Sequence, residues 1–247
     1  MASIFRRAAA VLRGRLVAAR QHRQLDVPVG SVDFGDLGRT APISRVFGLD
    51  RGTPIDRYYI EGFLAEHSSA IRGRVLEIGD ATYTKRFGGS AVTASDVLHF
   101  TGESSQTTIV ADLRDAPEIA TNTYDCIVLT QTLQFSYDMA SIVGEIHRIL
   151  KPGGCVLATV SGISQISRYD MERWGDFWRL TSLSARELFE TAFPSAGVQV
   201  ETHGNVLAAT AFLHGLAVSE VSRADLDVGD DDYQLLITIC ATKPVGV

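Results

Sequence analysis

The chain has 247 residues, 45% of them hydrophobic and 21% charged, with a formal net charge of −6; this balance is that of a folded globular protein and excludes a disordered or collagen-like chain. Three cysteines, Cys126, Cys155 and Cys240, each lie inside an apolar stretch rather than at paired spacings, which argues for reduced core thiols and against a disulfide frame or a metal site. No apolar run approaches the roughly 18 to 20 residues that cross a bilayer, and no secretory signal pattern opens the chain, so a cytoplasmic protein is expected.

Charge is unevenly spread. Residues 1–25 hold Arg6, Arg7, Arg13, Arg15, Arg20 and Arg23 with no acid, which leaves the remainder with 17 basic against 29 acidic residues, a balance of −12. Such a basic amphipathic head can lie on an anionic membrane surface, hold a partner, or pack on its own acidic body. Nucleic acid is not an expected partner, because the body is acidic and lacks an aromatic-basic surface pattern. Residues 26–54 carry Pro28, Gly30, Gly35, Gly38, Pro42, Gly48, Gly52 and Pro54, too much punctuation for long regular elements. Residues 1–54 are therefore a basic helix and cap segment, and 55–247 the main domain.

From Pro54 the spacing of Ile55, Tyr58, Tyr59, Phe63 and Leu64 predicts a helix that stops near Gly73. Strands are predicted at Val75–Ile78, Ala91–Ser95, Thr107–Ala111, Cys126–Thr130 and Cys155–Val160, with helical or loop intervals between them. Alternation of this kind predicts a parallel sheet with right-handed crossovers, an α/β doubly wound fold. The clearest helix is 138–150: Met139, Ile142, Val143, Ile146, Ile149 and Leu150 trace one apolar face, Asp138 can cap its start, and Lys151-Pro152-Gly153-Gly154 ends it. Ser184–Phe193 reads as a further helix, with Ser184 as cap and Glu187 three residues later. Val198–Thr202 and Leu235–Ala241 read as closing strands around a helical stretch Val206–Val218.

The turn that follows the first strand carries the chemistry. Arg74-Val75-Leu76-Glu77-Ile78-Gly79-Asp80 is a strand running into a glycine turn, Asp96 closes the next strand candidate and Asp112 the one after. A glycine lets a ligand approach the backbone at the carboxyl end of a strand, and a carboxylate farther on can accept from both hydroxyls of a ribose. The dinucleotide fingerprint, the phosphate-binding loop and the nucleophile elbow are all absent. Glu145, His147, Glu66 and His67 lack the spacing of a helical zinc site, so no metal is expected.

Taken in order, VLEIGD at 75–80, TASDV at 93–97, VADLRDAP at 110–117, YDCIVLTQTLQF at 124–135 and HRILKPGGCVLATV at 147–160 resemble the class I S-adenosylmethionine-dependent methyltransferases, particularly the bacterial type 11 group. RGTPIDRYYIE at 51–61 and GISQISRYDMERWGDFWR at 162–179 also look like a bacterial subgroup associated with glycosyltransferases of polysaccharide assembly. The resemblance implies a Rossmann-like, mostly parallel seven-stranded sheet with an antiparallel last strand behind the N-terminal cap, and S-adenosyl-L-methionine as cofactor. It implies that Glu77 and Gly79 border the methionine part, where Glu77 or Asp80 can supply negative charge near the sulfonium, that Asp96 holds the ribose with Val97 packed on adenine, and that Asp112 and the Leu113 backbone meet the adenine edge. Thr130, at the end of its strand, falls on the same rim. Two glycines usual in this family are Ala81 and Tyr83 here; if the turn needs a left-handed backbone there, a side chain costs about 1–2 kcal/mol, so either the turn takes another shape or the pocket has changed.

Methyl transfer is an in-line displacement in which proximity supplies roughly 7–11 kcal/mol, and a hydroxyl acceptor also calls for a base. Residues 161–183 form the expected substrate lid. Asp170 is the expected base, with Tyr169 and Gln131 as positioning groups, and Trp174 and Trp178, four apart, would share a helix face as a platform for a sugar or aromatic ring. The expected function is methylation of a small molecule or glycan, on oxygen. Two alternatives stay open: a non-catalytic module docking on a biosynthetic enzyme or membrane, and a pocket turned to another reaction such as cyclisation.

Overall fold

The computed structural model describes residues 27–246, so the arginine-rich head lies outside the described residues. The chain divides into two compact units at Pro42/Ile43. In the first, the described residues hold one 3-10 turn, Gly35–Leu37, entered by a turn in which Asp33 Oδ1 accepts the Gly35 amide at 2.8 Å. Residues 43–54 pack within the second unit: the Ile43 and Ser44 amides donate to the His214 carbonyl, and Pro54 bridges Ala217.

The second unit is a seven-stranded sheet. Its strands are β1 (Gly73–Ile78), β2 (Val92–His99), β3 (Ile109–Val110), β4 (Tyr124–Thr130), β5 (Leu150–Ser161), β6 (Val198–His203) and β7 (Leu236–Thr242), in the spatial order β3-β2-β1-β4-β5-β7-β6. Pairings from β3 through β5 are parallel, and β7 runs antiparallel to both β5 and β6. This is the doubly wound, mostly parallel sheet of the class I methyltransferase fold. The helices are α1 (Ile55–Glu66), α2 (Met139–Ile149), α3 (Arg168–Met171), α4 (Ser182–Glu190), α5 (Val206–Leu213) and α6 (Arg223–Leu226).

Alternation along the strands sends side chains to two cores. Leu76, Ile127, Leu129, Val156 and Ala158 face α2 and α4, where Ile142, Ile146 and Phe189 meet them, with Phe193 just beyond α4. Val75, Cys126, Val128 and Leu157 face α1 and α5, where Phe63, Leu64 and Phe212 meet them. The three cysteines are free thiols. Asp138 caps α2 by accepting the Ser141 amide at 3.1 Å.

Several boundaries differ from the sequence reading. β2 runs on through His99 rather than stopping at Ser95, because Val97 and Leu98 are buried strand residues and Ile78 pairs with Leu98. α4 starts two residues early: Thr181 is its cap, with Ser184 closing a reciprocal capping box. Leu150–Gly154 joins β5 rather than ending the preceding helix. Trp174 and Trp178 share no helix face, since α3 ends at Met171 and Gly175 takes φ +99°.

Phe189 is fully buried at the contact of α4 with the sheet. Replacing Phe189 with Ala should lower stability by about 3–5 kcal/mol, read as a shifted urea midpoint with an unchanged slope.

Candidate active site at the carboxyl ends of the strands

β1 ends in a turn that its own sequence closes. Gly79 takes φ +90°, its amide donates to the Leu98 carbonyl at 2.9 Å, and a Cβ built there would meet nothing within 4 Å. Asp80 Oδ1 accepts the Thr82 amide at 2.7 Å. A right-handed helical turn begins at Thr82 and widens into a π-helical turn, Thr84–Gly88, a widening often found at functional sites. Tyr83 therefore has φ −76° and ψ −37°, and neither Ala81 nor Tyr83 adopts positive φ. The turn has taken another shape, so the side chains in place of glycines bear no left-handed penalty.

Glu77 holds that shape. Its side chain is 3% exposed, and its two carboxylate oxygens accept the amides of Tyr83 (3.1 Å) and Thr84 (2.8 Å). Burial pushes its carboxyl up from the ordinary range, while the Thr84 and Tyr83 hydrogen bonds oppose the shift and the Asp80 charge adds to it.

At β2 the sequence reading is corrected. Asp96 pairs with Leu76, inside the strand rather than at its tip, and its carboxylate takes the Arg74 Nε at 2.8 Å. The same guanidinium lies 5.5 Å from the Tyr124 ring centroid. The tip residue is His99. Its Nδ1 accepts the amides of Thr101 and Gly102, each at 3.1 Å, which leaves the ring proton on Nε2, and its ring meets Trp174 edge-on at 6.2 Å. The run Val97-Leu98-His99-Phe100 before Thr101-Gly102 was the signal for this longer strand.

Asp112 does lie just past the end of β3, in a turn bridged to Asp115. Arg114 pairs with it through Nε and Nη2 and holds its carboxyl below the usual range. Val97 and Leu113 are buried, 2% and 6% exposed, with Leu113 in the core facing α2.

The tips of β4 and β5 form a polar cluster. Gln131 takes φ +49°, an uncommon conformation for a residue with a long side chain. Its amide donates to the Thr159 carbonyl at 3.0 Å, and its Oε1 accepts from Ser161 Oγ at 2.8 Å and from Gln134 Nε2. Gln131 Nε2 and Gln134 Oε1 are buried without a hydrogen-bond partner, an arrangement that costs stability unless a ligand completes it.

The lid leaves β5 and returns to it, the Leu180 amide donating to the Ser161 carbonyl at 2.9 Å. Its centre is Asp176, whose side chain is fully buried against Arg179 and accepts the Ser167 amide at 2.8 Å. Burial pushes the Asp176 carboxyl up, but Arg179 and the Ser167 amide outweigh it and hold it below the usual range. Asp170 accepts Ser167 Oγ at 2.5 Å and Trp174 Nε1 at 3.1 Å, so it fastens the loop. Tyr169 is 60% exposed and sits beneath the Arg173 guanidinium at 3.5 Å.

Between these elements lies a cavity of about 330 Å³, at the small end of ligand pockets. It brings together Glu77, Asp80, Thr130, Gln131 and Asp170 of the residues read from sequence, Tyr83 of the turn, Ser161 and Arg179 of the expected lid, and Gln134 and Asp56, which that reading missed. Asp96, Val97, Asp112, Leu113 and Tyr169 do not line it, and Gly79 stands between two residues that do. Asp56, in the first turn of α1, accepts the Arg57 amide at 2.9 Å, and burial pushes its carboxyl up to about 6. From sequence, Pro54-Ile55-Asp56 reads as an ordinary acidic helix start.

Residues 81–158 match the protein-family model described as a methyltransferase domain. No curated protein matches the chain in sequence. Among solved structures, a SAM-dependent methyltransferase from Archaeoglobus fulgidus is similar at TM-score 0.51 and 10% identity, over 76% of this chain and 94% of that one. A chain of the complex between the Haloferax volcanii Trm112 methyltransferase activator and a methyltransferase aligns at TM-score 0.46 and 18% identity, over 77% and 96%. The cyclase SpnF aligns at 0.49 and 18%, over 79% and 84%.

The turn predicts its own response to restored glycine. Tyr83 is 9% exposed and its ring packs beside Phe87 at 6.1 Å, in right-handed backbone. Tyr83→Gly should cost about 3–5 kcal/mol, from the lost aromatic and the lower helix propensity, read by thermal denaturation.

Proposed function

We propose, with the methyltransferase domain of residues 81–158 as premise, that this protein transfers a methyl group from S-adenosyl-L-methionine to a hydroxyl of a small molecule or glycan. One observation carries this reading: the cavity opens over the carboxyl ends of β1, β4 and β5, where the strand order reverses between β1 and β4. That switch point is where open α/β sheets bind ligands.

The residues present fit the cofactor. Gly79 offers open space beside its backbone, and Gln131 Nε2 and Gln134 Oε1 are buried groups awaiting partners. Glu77 and Asp80 bring negative charge to the rim, which suits a sulfonium. In this reading Glu77, Gly79, Asp80, Thr130 and Gln131 border the methionine part. When bound, the cofactor supplies an electrophilic methyl carbon. The protein's part is to hold the acceptor in line with it, and Gln134, Ser161 and the lid residue Arg179 are the polar groups placed to do so.

The adenosine end is reassigned. His99 stands at the β2 tip with Nε2–H available, and Trp174 packs against it; it takes the ribose role that the resemblance gave to Asp96. Asp112 and the Leu113 backbone keep the adenine edge at the end of β3, which requires the exposed Arg114 to swing from the Asp112 carboxylate.

Calorimetry with S-adenosylhomocysteine tests the reading. Micromolar binding is expected, weakened about threefold to tenfold by His99→Ala through one lost hydrogen bond and changed less than about twofold by Asp96→Ala, whose ion pair with Arg74 is a stability element worth roughly 0.2–1 kcal/mol. Absence of heat with the unaltered protein would remove the cofactor from this site.

A further inference from the structure

We infer that Asp56 is the base that takes the proton from the acceptor hydroxyl, a role that rests on the proposed methyl transfer and replaces Asp170 in it. Five carboxylates line the cavity: Asp56, Glu77, Asp80, Asp170 and Asp176. Four are committed to holding the fold. Both Glu77 oxygens accept turn amides, Asp80 closes the turn at Thr82, Asp170 is held by Ser167 and Trp174, and Asp176 by Arg179 and the Ser167 amide. Asp56 forms no ion pair among the described residues and receives only backbone amide hydrogen bonds, from Arg57 at 2.9 Å.

Its place is fixed rather than mobile. α1 is anchored by the buried Ile55, Tyr59, Ile60, Phe63 and Leu64, and Ile55 is fully buried directly before Asp56. The charged and titratable groups that share the cavity with it are Arg57 from its own helix, Tyr83, Glu77 and Asp80 from the β1 turn, and Asp170 with the Asp176–Arg179 pair from the lid. Burial pushes Asp56 up more than Arg57 and the amide draw it down, which leaves a carboxylate that is ionised at neutral pH yet more basic than an ordinary one.

The step balances. The acceptor O–H proton passes to an Asp56 oxygen as the acceptor oxygen bonds to the methyl carbon and the carbon–sulfur bond breaks, its electron pair remaining on sulfur. Asp56 then returns the proton to water.

A direct test needs no acceptor: carbon NMR of the labelled carboxyl, assigned by Asp56→Asn, should titrate with a midpoint near 6 in the unliganded protein. The folded-state pKa is raised above the unfolded one, so the ionised group costs stability that is absent at low pH and grows as pH rises through about 6. Asp56→Asn should therefore melt higher than the unaltered protein at pH 8, with the gain gone by pH 4. A merely structural helix-start acid gives the reverse sign, because its loss weakens the helix. A base that serves the acceptor rather than the cofactor predicts that S-adenosylhomocysteine affinity stays within about twofold in Asp56→Asn. With catechol and a methyl glycoside as hydroxyl probes, turnover should fall about 10²–10⁴-fold and the acid limb near pH 6 should vanish. A carboxyl midpoint below about 4, a less stable Asn variant at pH 8, or undiminished turnover would each overturn the assignment. Failure of the unaltered protein to bind S-adenosylhomocysteine would instead sink the cofactor reading and leave the titration result standing.

Discussion

The buried carboxylate of Glu77 decides how the turn after β1 is built. A charge at 3% exposure is costly unless satisfied, and here two successive amides, of Tyr83 and Thr84, satisfy it from the first turn of the following helix. Those amides are free because a helix start leaves its first N–H groups without intrahelical acceptors. Glu77 and the turn thus solve one another's problem: the strand can bury an acid, and the helix can begin without spaced glycines. Gly79 alone retains the positive φ that lets the backbone cross to the cavity.

The cavity inherits its chemistry from that arrangement. With Glu77 turned to the amides and Asp80 to Thr82, the rim keeps negative charge but little free basicity. On the opposite side the lid is fastened by a buried Asp176–Arg179 pair and by Asp170 on Ser167 and Trp174. A carboxylate that is hydrogen-bonded this fully is a strut, since taking a proton would break the contacts that hold its loop. Asp56 enters from a separate element and carries no such duty. Gln131 shows a related exchange at the β4 tip: a left-handed backbone and an unpartnered buried Nε2 are tolerated in a site where they would be removed from a core.

Much of this fold was legible in advance because burial is periodic. The apolar faces of α1 and α2 and the strand runs through Val75, Cys126 and Cys155 each announced an element, and their alternation announced the parallel sheet. The errors cluster where a polar residue interrupts an apolar run. Asp96 reads as the end of a strand, yet a carboxylate with Arg74 on the neighbouring strand to pair it can sit inside one. Trp174 and Trp178 had helical spacing, but Gly175 between them takes φ +99° and turns the chain.

By itself the sequence determined the strand order's local ingredients, the acidic cavity rim and the methyltransferase resemblance, because these depend on residue type and spacing along the chain. Only the tertiary structure decided which carboxylates are spent on hydrogen bonds and which one is left free, and which residue stands at the β2 tip. Those outcomes depend on partners far away in sequence: Arg74 for Asp96, and a cavity shared by α1, the β1 turn and the lid for Asp56. Local pattern records what a side chain can do, while its neighbours across the sheet settle what it is left to do.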